Sequence, residues 1–260
     1  MSRQTVFLAW QDKARTRRWF PIGRLNFASD GSCEFRYIQG AKDAEMNAGF
    51  KPLLAFPDVG AIYHSPELFP LFQNRIMNRN RDDFAEYLEQ MDLSGDPTPL
   101  EILSVDGGQR ETDHFEVFPL LVCDNEGRFS CRFFLHGWRH VAECAQKRLA
   151  NSIQPNDPLQ VAIELTNPKT KIGLQIQTMD YCMIGWAPRY LAYDLSNALK
   201  QYDEKPEDTE IKVVKVNHDA PMHQRYLIEF KGRFNQYRPM QSAEFKDFSN
   251  GNVTHELEEL

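Results

Sequence analysis

No stretch of this chain is long and apolar enough to cross a bilayer. A spanning helix needs about 20 apolar residues, and runs such as Phe118 to Cys123 hold only a few. Cysteine is sparse as well: Cys33, Cys123, Cys131, Cys144 and Cys182 form an odd set with no C-x-x-C pair. That pattern fits idle thiols in a reducing compartment better than a disulfide framework. The start, MSRQTVFLAW, lacks a basic stretch followed by a long apolar one, so the expectation is a cytoplasmic protein with no membrane partner. With 14 Gly and 15 Pro among 260 residues there is no collagen-like or linker-like bias.

Enzyme signatures are missing too. The sequence holds no G-x-x-x-x-G-K-[ST] phosphate loop, no G-x-G-x-x-G, no G-x-S-x-G elbow and no H-E-x-x-H. His136 and His140 lie four apart, a metal spacing on a helix, but on the strand expected there they would stand ~13 Å apart. The expectation is a non-enzymatic protein without metal or small-molecule cofactor.

What is present is 42% apolar and 12% aromatic residues, enough for real cores in one large domain or two ordinary ones. The net charge of −7 looks unfavourable for a polyanionic partner, yet it is unevenly spread. Residues 1–127 carry −7, residues 128–194 carry +3 and residues 195–260 carry −3. A small basic face can coexist with an acidic chain, because a steering field is local.

Three short apolar runs open the chain: Thr5 to Trp10, Arg18 to Leu25 and Cys33 to Ile38. Asp30-Gly31 between the last two is a hairpin signal, so the three read as an antiparallel meander. A helix is predicted over 41–49. Another is predicted from Ser65 as N-cap and Pro66 at the first position, with Leu68, Phe72, Ile76 and Met77 at helical spacing. Asp82 or Asp83 caps a helix with Phe84, Tyr87, Leu88 and Met91, and a third runs from Thr98 through Leu103. Strands are predicted over 115–122, 129–138, 159–165, 172–177, 181–186, 211–216 and 226–230. Helices are predicted over 142–150 and 188–199, and the tail from Asn250 is expected to fray.

Two local patterns rise above this background. The first is Phe133-Phe134-Leu135-His136-Gly137-Trp138-Arg139-His140, then Asn156-Asp157-Pro158-Leu159, then Glu164-Leu165-Thr166-Asn167-Pro168, and finally Ile184-Gly185-Trp186-Ala187-Pro188-Arg189-Tyr190-Leu191-Ala192. Over residues 130–246 this order resembles the HIRAN domain, whose best-understood members bind single-stranded DNA and cradle its free 3′ end. The resemblance implies an OB-like barrel closed by the strands at 211–216 and 226–230. It also implies a DNA-contacting set: Arg139 and His140 at the terminal nucleotide, Lys169 and Thr170 after Asn167-Pro168, and Trp186, Arg189 and Tyr190 on the far wall. Aromatic faces stack on unpaired bases and Arg or Lys meets phosphate. Other readings of the same residues stay open: core packing for Trp186 and Tyr190, a solvated strand end for Arg139 and His140, ordinary turn residues for Lys169 and Thr170, and a helix-start surface residue for Arg189. The chain departs from DNA-end-binding members at Lys169-Thr170, where those carry an aromatic and an Asp. A threonine lacks the charge-assisted acceptor for a 3′-hydroxyl.

The second pattern comprises Val6-Phe7-Leu8, Ile22-Gly23-Arg24-Leu25, Phe35-Arg36-Tyr37-Ile38, Leu68 to Arg75, and Gly107-Gly108 before Phe115 to Pro119. Over 1–119 it is similar to the N-terminal subdomain of HipA-type toxin kinases, without the kinase body. This implies an interaction module.

The expected fold class is therefore α+β: an N-terminal β-meander plus helices (1–125), an OB-like HIRAN β-barrel with two helices (126–250), and a flexible acidic tail (251–260). The expected function is non-enzymatic binding of single-stranded DNA or a DNA 3′ end in repair, replication or defence, with a protein partner on the acidic N-terminal module. The alternative is a protein-interaction factor, toxin-antitoxin-like, that binds no nucleic acid.

Overall fold

The computed structural model describes residues 4–110, 112–167, 171–200, 209–248 and 253–256. It divides into two compact units that are both discontinuous in sequence. Unit 1 comprises 1–81, 96–120 and 240–260, and unit 2 comprises 82–95 and 121–239. This partition cuts across the single boundary expected near residue 125.

Unit 1 contains β1 (Gln4–Gln11), β2 (Trp19–Phe27), β3 (Cys33–Tyr37), α1 (Gln39–Ala48), β4 (Ala61–Ser65) and α2 (Pro70–Gln73). Unit 2 begins with α3 (Phe84–Gln90), after which α4 (Pro99–Asp106) and β5 (Phe115–Pro119) return to unit 1. Unit 2 continues with β6 (Arg128–Phe134), α5 (Glu143–Asn151), β7 (Leu159–Asn167), β8 (Lys171–Thr178), β9 (Met183–Trp186), α6 (Ala192–Leu199), β10 (Glu210–Val216) and β11 (Tyr226–Arg233). The last element, β12 (Val253–Glu256), belongs to unit 1.

The unit 1 sheet has the order β12-β4-β3-β2-β1-β5. The expected meander is there, β1 antiparallel to β2 and β2 to β3. Val6, Phe7, Leu8 and Ala9 are all buried, as befits a strand covered on both faces. One face packs Phe35 on Phe56, with ring centroids 4.1 Å apart. The other packs Phe7 against Phe118 and Phe245. Buried Tyr37 ties the 50–58 segment to this core: its hydroxyl accepts from the Leu53 N–H at 2.7 Å and donates to the Phe56 carbonyl at 2.9 Å. Helix α4 starts on a capping box, Thr98 and Glu101 each bonding the other's backbone N–H.

Three expectations fail in unit 1. Ala61–Ser65 is a strand, and Ser65 ends it instead of capping a helix. Proline disfavours the helical region for the residue before it. Phe69, before Pro70, is accordingly extended, so only the four residues Pro70–Gln73 become helical. The tail does not simply fray either: Val253–Glu256 pairs in parallel with β4.

Unit 2 holds two three-stranded antiparallel sheets, β10-β11-β6 and β7-β8-β9, in place of the single closed barrel expected. The sheets meet through one isolated bridge at each pair of edges, His136 with Trp186 and Pro158 with Lys212. Pro158 has no N–H to extend a ladder, and Gly137 turns the chain away directly after His136. The architecture is α+β with mostly antiparallel sheets. Burial pushes the Cys33 thiol up to about 12 and raises that of Cys131 also, so both are inert packing groups.

Tyr37→Phe strips the acceptor from the Leu53 N–H and the donor from the Phe56 carbonyl. It should destabilise unit 1 by about 1–3 kcal/mol, read as a lowered midpoint of urea unfolding.

Candidate nucleic-acid interface

Strand β6 buries Phe129, Cys131 and Phe133 in alternation and ends at Phe134. His136 and Trp186 then exchange both backbone hydrogen bonds, each at 2.9 Å. The next residue, Gly137, is left-handed (φ 66°), and a Cβ there would lie 2.5 Å from Cε3 of Trp186. Only glycine meets both conditions. Trp138–His140 follows as a single 3-10 turn, with the His140 N–H on the Gly137 carbonyl. The expected strand through Trp138 is thus corrected: Arg139 and His140 are exposed on a turn, and His136 and His140 share no strand face.

The half-buried Trp186 ring lies against Gly137, and its Nε1–H donates to Glu164 Oε2 at 3.3 Å. The same oxygen accepts from Asn167 Nδ2 at 3.0 Å. The Asn167 bond, with the Trp186 bond behind it, outweighs burial and holds the Glu164 carboxyl below its usual range. Tyr190 meets the His136 ring edge-on at 6.4 Å. Arg189 and Tyr190 sit in the turn before α6, not inside a helix starting at Pro188, because that helix begins at Ala192. Lys169 and Thr170 lie outside the described residues.

A second aromatic group, missed in the sequence, adjoins the turn. Trp138 donates from Nε1 to the Met222 carbonyl at 3.1 Å and packs edge-on against Tyr226 at 5.3 Å. The Arg225 guanidinium lies 5.8 Å from the centre of the Trp138 ring, a cation–π distance. Arg139 reaches the Met222 sulfur at 3.9 Å. The signal was the aromatic-basic pair Arg225-Tyr226, separated from Trp138 by too many residues to be joined by eye.

Charge is arranged in two layers. On the β6-β11-β10 sheet, Arg132, Lys212 and Lys231 all lie on buried Glu229. Burial opposes ionisation of Glu229, but the charges of Lys231 and Arg132 prevail and lower its pKa. Residues 82–95 carry five carboxylates and no Lys or Arg. From that segment Asp92 pairs with Arg132 and Glu89 with Lys215. Among the described residues, no carboxylate pairs with Arg139 or His140. Helix α5 is fastened to the β8–β9 turn by Arg148 on Asp180, which also accepts from Thr178 Oγ1 at 2.6 Å.

No protein-family model matches the chain, and no curated protein matches it. Part of the chain is similar to the crystal structure of the HIRAN domain of human HLTF. The identity is 17%, over 42% of this chain and 84% of that one, with a TM-score of 0.27. At that score the likeness is too slight to carry fold or function across. The likeness of residues 1–119 to a HipA subdomain finds no support in these comparisons. Among the described residues, no helix is long and apolar enough to cross a membrane, and no group of three or more His, Cys, Asp or Glu could hold a metal ion.

Gly137→Ala should destabilise unit 2 by about 1–3 kcal/mol and alter the near-ultraviolet dichroism of Trp186. The Arg148 hydrogen bond, then that of Thr178, depresses Asp180 to about 2, whereas an Asp in the unfolded chain titrates near ~3.9. The stabilisation by Asp180 is therefore complete above the unfolded value and is lost as pH falls through about 2. Asp180→Asn should flatten the urea midpoint of unit 2 across that window relative to the parent.

Proposed function

We propose that unit 2 binds single-stranded DNA or a DNA end through the face made by Trp186, Tyr190, Arg189 and the 138–140 turn, without catalysing a reaction. The observation that carries this reading is the His136–Trp186 bridge. It brings two aromatic rings beside an exposed turn whose Arg139 and His140 are paired with no carboxylate among the described residues. Stacking on an unpaired base contributes about 1–3 kcal/mol per ring, and the turn supplies phosphate contact. The HIRAN resemblance adds Lys169 and Thr170, which lie outside the described residues, and suggests a role in repair, replication or defence. Unit 1 then takes a protein partner.

A second reading, protein interaction without nucleic acid, is favoured by β7. Ile163 and Leu165 on this strand are 41% and 71% exposed, and exposed apolar residues on a strand suit a partner's surface.

Fluorescence anisotropy with a labelled single-stranded oligonucleotide separates the two. At roughly 50 mM salt, where phosphate contacts are strong, the chain should bind, and Arg139→Ala with His140→Ala should weaken binding. The slope of log affinity against log salt should flatten by about 0.7 for each phosphate that the substitutions leave without a cation. Absence of binding, or binding indifferent to the double substitution, would overturn the DNA reading.

A further inference from the structure

Unit 1 holds a cavity of about 480 Å³ on the sheet face opposite the Phe35–Phe56 core, lined by Thr5, Arg24, Asn26, Gln241, Lys246 and Asp247 over apolar Phe7 and Phe245. Side chains directly opposite across an antiparallel pair interact, and here the register sets Thr5 against Asn26 and Asn26 against Glu34. These form a directed chain. The Thr5 hydroxyl donates to Asn26 Oδ1 at 2.9 Å, and Asn26 Nδ2 donates to Glu34 Oε1 at 3.0 Å. Each amide end of Asn26 is thereby assigned, and one N–H of Asn26 is left as a donor for a further partner.

The charges do not balance. Arg24 and Arg36 share the Asp247 carboxylate at 2.9 and 3.2 Å, and Arg36 also holds Glu34. Lys246 is exposed and, among the described residues, pairs with no carboxylate. Of the charged side chains that line the cavity, two are cations, Arg24 and Lys246, and one is a carboxylate, Asp247. Glu244 on the same turn accepts from Ser242 and is not part of the lining. The wall that carries Lys246 begins at Met240, a non-glycine residue with φ 55°. Such backbone persists where surrounding contacts fix it, often beside ligand clamps.

We propose that this cavity binds a compact organic oxyanion, with the phosphoryl or carboxylate group on Lys246 and Arg24 and a small apolar body against Phe7 and Phe245. The spare N–H of Asn26 donates to the anion's remaining oxygen, and Thr5, by donating to Asn26 Oδ1, holds that amide in place. The site lies in the unit that takes no part in the DNA reading, so either idea can fail alone.

Isothermal titration of the full chain with inorganic phosphate, phenyl phosphate and benzoate, at constant ionic strength set by chloride, tests it. One saturable site in the millimolar range is expected, tighter for phenyl phosphate than for phosphate. Benzoate against phenyl phosphate tells a carboxylate ligand from a phosphoryl one. Lys246→Ala, at an exposed position, should weaken binding about tenfold, and Thr5→Val, which releases the Asn26 amide, should weaken it as well. No saturable heat from any of the three, or affinity unchanged in Lys246→Ala, would overturn the proposal. So would a drop in oligonucleotide affinity in Lys246→Ala, since the charge would then belong to a DNA path.

Discussion

Every three-stranded sheet has two edge strands, and every edge presents backbone N–H and C=O groups that need partners. Unit 2 has two such sheets, and the single bridge between His136 and Trp186 joins an edge of one to an edge of the other. The residues around it follow from that contact. The Trp186 ring occupies the space beside residue 137, so residue 137 has no room for a side chain. A left-handed glycine then turns the chain out of the strand. Were β6 to continue, the two-residue period would put Arg139 on the side of Phe129, Cys131 and Phe133, in the core. The turn is what allows an arginine to follow that apolar run and still reach solvent.

The net charge of −7 takes on a different meaning once the units are known. The acidic stretch 82–95, which a linear reading assigns to the N-terminal module, belongs to unit 2. Its Glu89 and Asp92 sit on Lys215 and Arg132. Exposed pairs of this kind add little stability, about 0–1 kcal/mol each. Their effect is on the field: together with Glu229 they cancel the cations of the β6-β11-β10 sheet. Arg139 on the turn, by contrast, pairs with no carboxylate among the described residues.

What was legible in the sequence was local. The Asp30-Gly31 turn fixed the meander, Thr98 with Glu101 announced α4, and alternation marked β7 through β11 to within a few residues. What was not legible depended on contacts far apart in the chain. Strand β4 hid behind a Ser-Pro pair that also reads as a helix start, and only its place between β3 and β12 identifies it. Strand β12 pairs in parallel with a segment nearly two hundred residues earlier, and no local pattern encodes that. Of the candidate site, Trp186, Arg139 and His140 came from the HIRAN resemblance of their local motifs. The Trp138, Arg225 and Met222 group emerged only when β11 was laid against β6.

The size of this face also sets how it can bind. In the proposed reading a handful of basic side chains engage few phosphates, and the counterion-release contribution scales with that number, at about 0.7 per phosphate for a single strand. A shallow salt dependence follows, and most of the affinity must then come from stacking. Trp186 is constrained there, since its Nε1–H is held by Glu164 and one side of its ring by Gly137. A base would meet a ring fixed in advance, and ordering it costs no rotamer entropy on the protein side. In the proposed reading such an interface would tolerate many sequences, because every base has a face to stack, and would discriminate single strands from duplex because only unpaired bases can reach the ring.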